Sequence, residues 1–235
     1  MEWLWLCILS LALAGLVFVY LSKIVKTVDE PEEVPQADTE EDSGEEEKKP
    51  FPFRKYLPVY GILVLLVLIG LSIELTLVFP DNPLIQNIRL LTLLAFLFAA
   101  AYVDAEQKII PNKLVVTALI VRLLLYVTEF IVLQDVFLSL VKSDLIALLI
   151  PLFFLLIGVV LMKNGMGMGD IKLLIVICFY LGLQGSVSAV FFSLVVAFVI
   201  SIVLLIAKKK GRKDSIPFAP ALMIGTAISL FMSGM

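Results

Sequence analysis

Eight runs of apolar residues, most of them long enough to cross a lipid bilayer as a helix, dominate this chain of 235 residues. They lie near residues 3–22, 57–79, 88–104, 114–133, 144–162, 171–185, 187–207 and 216–233. The sixth is short for a crossing, and Gly182 and Gly185 mark its end. With 61% hydrophobic residues and a mean hydropathy of +1.07, the chain is well beyond soluble composition. The expected fold is an all-α integral membrane protein, a polytopic bundle of about eight transmembrane helices packed in a lipid bilayer.

Charge orients the bundle. Met1-Glu2-Trp3 is not basic, whereas Lys23 and Lys26 follow the first run. This is the reverse of a cleavable signal peptide and favours an N-terminus outside the cell. Alternation then places residues 23–56, 105–113, 163–170 and 208–215 in the cytoplasm. All of the 18 Lys and Arg except Arg89, Arg122 and Lys142 fall on that side or at its helix ends. The expected location is the inner (cytoplasmic) membrane.

Three parts are expected: an N-terminal transmembrane helix (1–26), an acidic cytoplasmic loop (27–56) and a membrane-embedded domain (57–235). Residues 29–47 hold eleven Asp or Glu and no Lys or Arg, so the net charge of −3 hides +8 on the rest of the chain. Residues 27–50 lack apolar periodicity and read as a disordered linker. An acidic lure for a basic substrate segment is the sharper alternative.

Composition excludes several chemistries. The chain has no histidine, which removes Ser-His and Cys-His catalysis and His-ligated zinc. Cys7 and Cys178 both sit in apolar runs and form no CxxC pair. There is no nucleotide-binding glycine motif and no internal repeat. Neither a metal, a cofactor nor a nucleic-acid partner is expected.

Asp104 and Asp170 stand where long apolar runs meet short polar stretches, and ionisable groups at such places are costly and usually functional. Two crossings separate them, so both return to the same face at similar depth. Topology alone does not make their helices touch. Asp170 closes Gly165-Met166-Gly167-Met168-Gly169-Asp170, whose glycines permit close approach of a peptide backbone. A flexible turn with Asp170 as a helix N-cap is the plainer alternative. After Asp104, Pro111 is suited to start the next helix and Asn112 to shape its first turn. Ile216-Pro217-Phe218-Ala219-Pro220 again sets prolines at a helix start behind a basic loop.

Together these motifs resemble the bacterial type IV prepilin peptidase family. The resemblance rests on Asp104 with Ile110-Pro111-Asn112, on Gly167-Met168-Gly169-Asp170-Ile171-Lys172 and on Ile216-Pro217-Phe218-Ala219-Pro220, and it covers roughly residues 57–233. It implies a membrane aspartyl protease with Asp104 and Asp170 as the catalytic pair, and residues 57–235 as the peptidase domain. The implied partners are type IV prepilin or pseudopilin precursors with a short basic cytoplasmic leader. Gly167, Gly169, Pro111, Asn112, Lys108 and Lys172 are the accompanying substrate-binding or loop-shaping candidates. Lys108 and Lys172 are also what any cytoplasmic helix end carries. Many family members have a cytoplasmic domain with two CxxC pairs after the first helix and also methylate the product. Here that position is the cysteine-free acidic stretch, so cleavage without methylation is expected.

Two other readings compete. A presenilin-like intramembrane protease also carries Gly-x-Gly-Asp, but here Val103 separates Tyr102 from Asp104, and Ile110-Pro111-Asn112 has no reason to be present. An ion- or proton-coupled carrier suits acidic residues and broken helices, yet carriers place coupling sites near the midplane. Of the remaining membrane charges, Glu74 and Arg89 flank one outer loop and are the expected pair. Arg122 and Glu129, seven residues apart, look too distant to bond directly. All four are read as structural.

If the acidic stretch is a lure, neutralising the acids of residues 29–47 slows cleavage of basic-leader substrates at low salt. A cleavage series across ionic strength checks this, and unchanged rates leave the stretch a linker.

Overall fold

The computed structural model describes residues 2–29, 56–161, 167–206 and 217–234. Among them the chain forms eight helices and no strand: α1 (Glu2–Asp29), α2 (Leu57–Leu77), α3 (Leu84–Gln107), α4 (Asn112–Val132), α5 (Gln134–Ala147), α6 (Leu149–Leu161), α7 (Met168–Ile206) and α8 (Ala219–Ser233). It is an all-α polytopic membrane protein. Six stretches are long and apolar enough to cross a bilayer. Its surface carries Trp5, Leu123 and Phe198, while Ser72, Arg122, Glu129 and Thr226 are buried, an inside-out distribution suited to lipid.

Several boundaries differ from expectation. α1 continues through Asp29, so the first residues of the acidic stretch are helical, and residues 30–55 lie outside the described part. α3 runs three residues past Asp104, which places that carboxylate in the last helical turn rather than at the boundary. α5 begins at Gln134, ten residues before the expected fifth run, and breaks from α6 at Leu148. Pro151 explains that break, because it has no amide hydrogen to offer the Ala147 carbonyl one turn back.

α3 is the central helix: it is buried nearly all round from Asn87 to Asp104 and packs against α1, α2, α4, α7 and α8. α8 lies against α7 and α3. Ser188 Oγ meets Ser229 Oγ at 2.6 Å, and Ser193 Oγ donates to Leu222 O at 3.3 Å. Ascending numbers on α7 thus pair with descending numbers on α8, so residues 183–206 run antiparallel to α8. Yet α8 and α7 both begin beside one cavity. The chain must therefore turn back within α7, and it does so at Gly182, whose φ of 67° and ψ of −168° lie outside the helical region. A Cβ there would also approach Ser143 Oγ to 2.7 Å. The expected sixth and seventh runs are the two arms of this turn.

A broken helix in lipid leaves backbone groups that water does not reach. In an unbroken α7 the Phe179 carbonyl would accept from the Leu183 amide. Here each finds a side chain instead. Arg122 Nε donates to Phe179 O at 2.6 Å, and Leu183 N donates to Ser143 Oγ at 2.9 Å.

Arg122 also donates to Glu129, with its Nη1 3.0 Å from both carboxylate oxygens, and to Asp144 Oδ2 at 2.8 Å. Arg89 joins through Glu129 Oε1 at 3.3 Å, and Tyr126 donates to Asp144 while lying under the Arg122 guanidinium. Two of the expected pairings are corrected here. Arg122 and Glu129 do bond directly, because long side chains on one helix face reach across two turns. Arg89 pairs with Glu129, not with Glu74, whose Oε2 is buried without a partner. The cluster holds two cations and two anions, all buried, and ties α3, α4, α5 and α7 together. Cys7 and Cys178 are free thiols.

Replacing Arg122 by Met leaves two buried carboxylates with Arg89 as their single cation, Glu129 holding it and Asp144 keeping a hydrogen bond from Tyr126 alone, and we expect a loss of about 3–5 kcal/mol. Thermal unfolding of the purified protein in detergent, beside the wild type, measures it.

Candidate active site

At the other end of α3, about 22 Å from Arg89 at 1.5 Å per residue, four helix ends surround a cavity of about 580 Å³. Its walls are Asp104 and Lys108 from the end of α3, Ile109–Asn112 leading into α4, Gly167–Asp170 and Lys172 at the start of α7, and Pro217-Phe218 before α8. Asp104 and Asp170 therefore line one space. Every residue named above as a site candidate lines the same cavity. Gly165, Met166 and Ile216 of the motifs lie outside the described residues.

Asp104 is buried, with 5% of its surface exposed. Its Oδ2 accepts a hydrogen bond from Ala219 N at 3.0 Å. Ala219 opens α8, and Pro220 behind it has no N–H, so the carboxylate takes the first free amide of that helix. Asp104 thereby joins the end of α3 to the start of α8, and the positive end of the α8 dipole faces its charge.

Asp170 is not an N-cap. It lies in the first turn of α7, two residues inside the helix, with its amide bonded to Gly167 O at 3.0 Å. Its side chain folds back over the turn, and a Cβ on Gly167 would stand 2.9 Å from Asp170 Oδ2. The missing side chain at residue 167 is the space that this carboxylate occupies. Gly169 serves a different contact. A Cβ there would press on Ile110 at 3.2 Å, so the glycine lets the α7 start close against the 109–111 segment.

Pro111 precedes α4 with φ −63° and ψ 127°, and Asn112 is the first helical residue. Lys108 caps α3 in the left-handed region at φ 53°. Lys172 Nζ donates to Asn112 Oδ1 at 2.7 Å, bridging α7 to α4. Among the described residues neither lysine forms an ion pair with an aspartate, so Lys172 is a strut between two walls rather than a counter-ion. Formally, two carboxylates and two ammonium groups share the cavity. Pro217, Phe218 and Met168 line it without having been singled out as site residues, although the Pro-Phe-Ala-Pro run was the signal for the first two. Among the described residues no group of three or more His, Cys, Asp or Glu is placed to hold a metal ion.

Residues 91–202 match the type IV leader peptidase family. That match takes in just under half of the chain. Over 138 residues it is 25% identical to the "Prepilin leader peptidase/N-methyltransferase" of Bacillus subtilis (strain 168), taking in 58% of this chain and 52% of that protein. The chain thus spans about half the length of this curated relative. No solved structure matches it. The matched segment contains both aspartates and the Lys172–Asn112 bridge, while the α8 amide that holds Asp104 lies beyond it.

Gly167→Ala is expected to displace the Asp170 carboxylate without disturbing the bundle. Any reaction that uses this carboxylate slows by up to about tenfold if the shift costs a single hydrogen-bond-sized interaction, while thermal stability stays near wild type. Kinetics and a melting curve on the same preparation check the pair of outcomes.

Proposed function

We propose that this protein is a membrane aspartyl endopeptidase that removes the short basic leader from type IV prepilins or pseudopilins at the cytoplasmic membrane face. The single observation that carries this reading is the meeting of Asp104 and Asp170, from separate helices, in one open cavity. In the reaction one carboxylate, ionised, takes a proton from a water molecule as its oxygen attacks the scissile carbonyl carbon. The other, protonated, donates to that carbonyl oxygen; the dyad then gives a proton to the amine as the C–N bond breaks, and a hydroxyl of the collapsing diol returns one to the dyad. Water ends as the new carboxyl group and the new amine, and the dyad regains its starting state. The single proton of the resting dyad is shared by the pair.

The membrane face is supported by Lys108, Lys113 and Lys172, which cluster at the same end of the bundle as the aspartates. Cleavage without methylation is supported by the cysteine-free acidic stretch where many family members carry two CxxC pairs. A position at helix ends, not the midplane, favours a peptidase over a carrier.

Asp104→Asn and Asp170→Asn are each expected to abolish leader removal from a type IV prepilin in membranes, with insertion unchanged. Immunoblotting for precursor and mature forms reads the result. A variant that keeps substantial processing removes that residue from the mechanism.

A further inference from the structure

Between α3 and α4 the chain crosses the cavity wall as Ile109-Ile110-Pro111. A residue before proline is driven out of the helical region, and Pro111 itself is extended, so the segment is strand-like. Successive side chains take opposite faces, as in a strand: Ile110 is 6% exposed and packs against Gly169, whereas Ile109 is 65% exposed. Among the described residues, neither Ile109 nor Ile110 uses its main-chain N–H or C=O in a hydrogen bond. The last bond of α3 runs from Lys108 N to Asp104 O, and the first of α4 return to Pro111 O. Unpaired main-chain groups in the wall of a cleft are a template for another extended chain.

The next residue adds a donor. Asn112 Oδ1 accepts a hydrogen bond from Lys172 Nζ. An ammonium group has donors only, so the lysine fixes which way the amide points and leaves both Nδ2 hydrogens without a partner among the described residues.

We propose that Ile109–Asn112 is the docking edge for the peptide substrate, which binds extended, pairs its backbone with the main-chain groups of this segment that face the cavity, and receives a hydrogen bond at one carbonyl from Asn112 Nδ2. Lys172 is the positioning residue that orients Asn112. This rests on the peptidase reading and specifies how its site holds a leader irrespective of side-chain sequence. A peptide laid along residues 109–112 passes beside both aspartates, because all of them line one cavity.

The test uses the full chain in lipid nanodiscs and synthetic precursors with a basic leader, a cleavage site and an apolar segment. One backbone amide is N-methylated at a time. Strand pairing directs alternate amides at the partner, so kcat/KM is expected to fall by roughly tenfold or more, the loss of about one hydrogen bond without replacement, at every second position and little between. Indifference to every N-methyl group, or an equal loss at all positions, overturns the docking edge. Failure to cleave even the unmodified peptide overturns the peptidase reading, and this one with it. In parallel, Asn112→Ala is expected to raise KM with kcat nearly unchanged, since a substrate-binding bond is lost equally in ground and transition states. Lys172→Met should do the same more weakly, and the double variant should match Asn112→Ala. Equal effects of the two single variants, with no rise in KM, reduce the bridge to a strut and overturn the donor role.

Discussion

The Arg122 guanidinium holds together the end of the bundle that everything else is built on. It bonds a main-chain carbonyl of α7, a carboxylate of its own helix and a carboxylate of α5, and it reaches α3 through the Glu129–Arg89 pair. Without it the reversal at Gly182 would leave the Phe179 carbonyl unpaired in hydrocarbon. That reversal is what brings the second arm of α7 back toward the cavity and lets α8 pack antiparallel to it. The placement of the Asp170 turn and of the α8 N-terminus therefore both depend on a charge cluster at the far end. An isolated buried ion pair often adds little net stability, because desolvation offsets the attraction. Here the cluster is charge-balanced and also substitutes for a lost helix bond, which gives it a second reason to exist.

The cavity end follows the opposite principle. It is assembled from the ends of four helices, where backbone groups are unsatisfied by construction. Asp104 settles one of them, at Ala219. Gly167 and Gly169 remove bulk so that Asp170 and Ile110 fit, and the Lys172–Asn112 bridge spaces the α4 and α7 walls. None of these contacts is large. Each fixes the position of one polar group in a space that stays open, as an acid–base pair requires.

Much of this was legible in the sequence. The runs of apolar residues predicted the helices, and alternation of spans placed Asp104 and Asp170 at one end. Other contacts left no local trace. Nothing in the primary sequence connects Asp104 with Ala219, 115 residues away, because a cap supplied from another helix has no local signature. The same holds for Leu183 with Ser143. The expected Glu74–Arg89 pair came from adjacency around a loop, and it gave way to Glu129 because burial rewards the partner that lies inside the bundle. Helix breaks were half readable: Gly182 marked the end of an expected run, whereas Pro151 lay inside the expected run 144–162, and only the three-dimensional contacts show that one reverses the chain and the other merely interrupts it.

The two ends divide stability from chemistry. A charge-balanced ionic cluster buried in the bundle is closed to substrate, even with Arg89 Nε left without a partner among the described residues. A site that must admit a peptide and a water molecule cannot be built that way, since every group it pairs internally is one fewer for the substrate. The main-chain groups of Ile109 and Ile110, without a partner among the described residues, are presented in the cavity wall by the helices on either side. Separating the rigid cluster from the open cavity by some fifteen residues of α3, about 22 Å at 1.5 Å per residue, lets substrate engage one end without loosening the other. α3 is suited to that separation because it is buried almost throughout and touches five of the other helices.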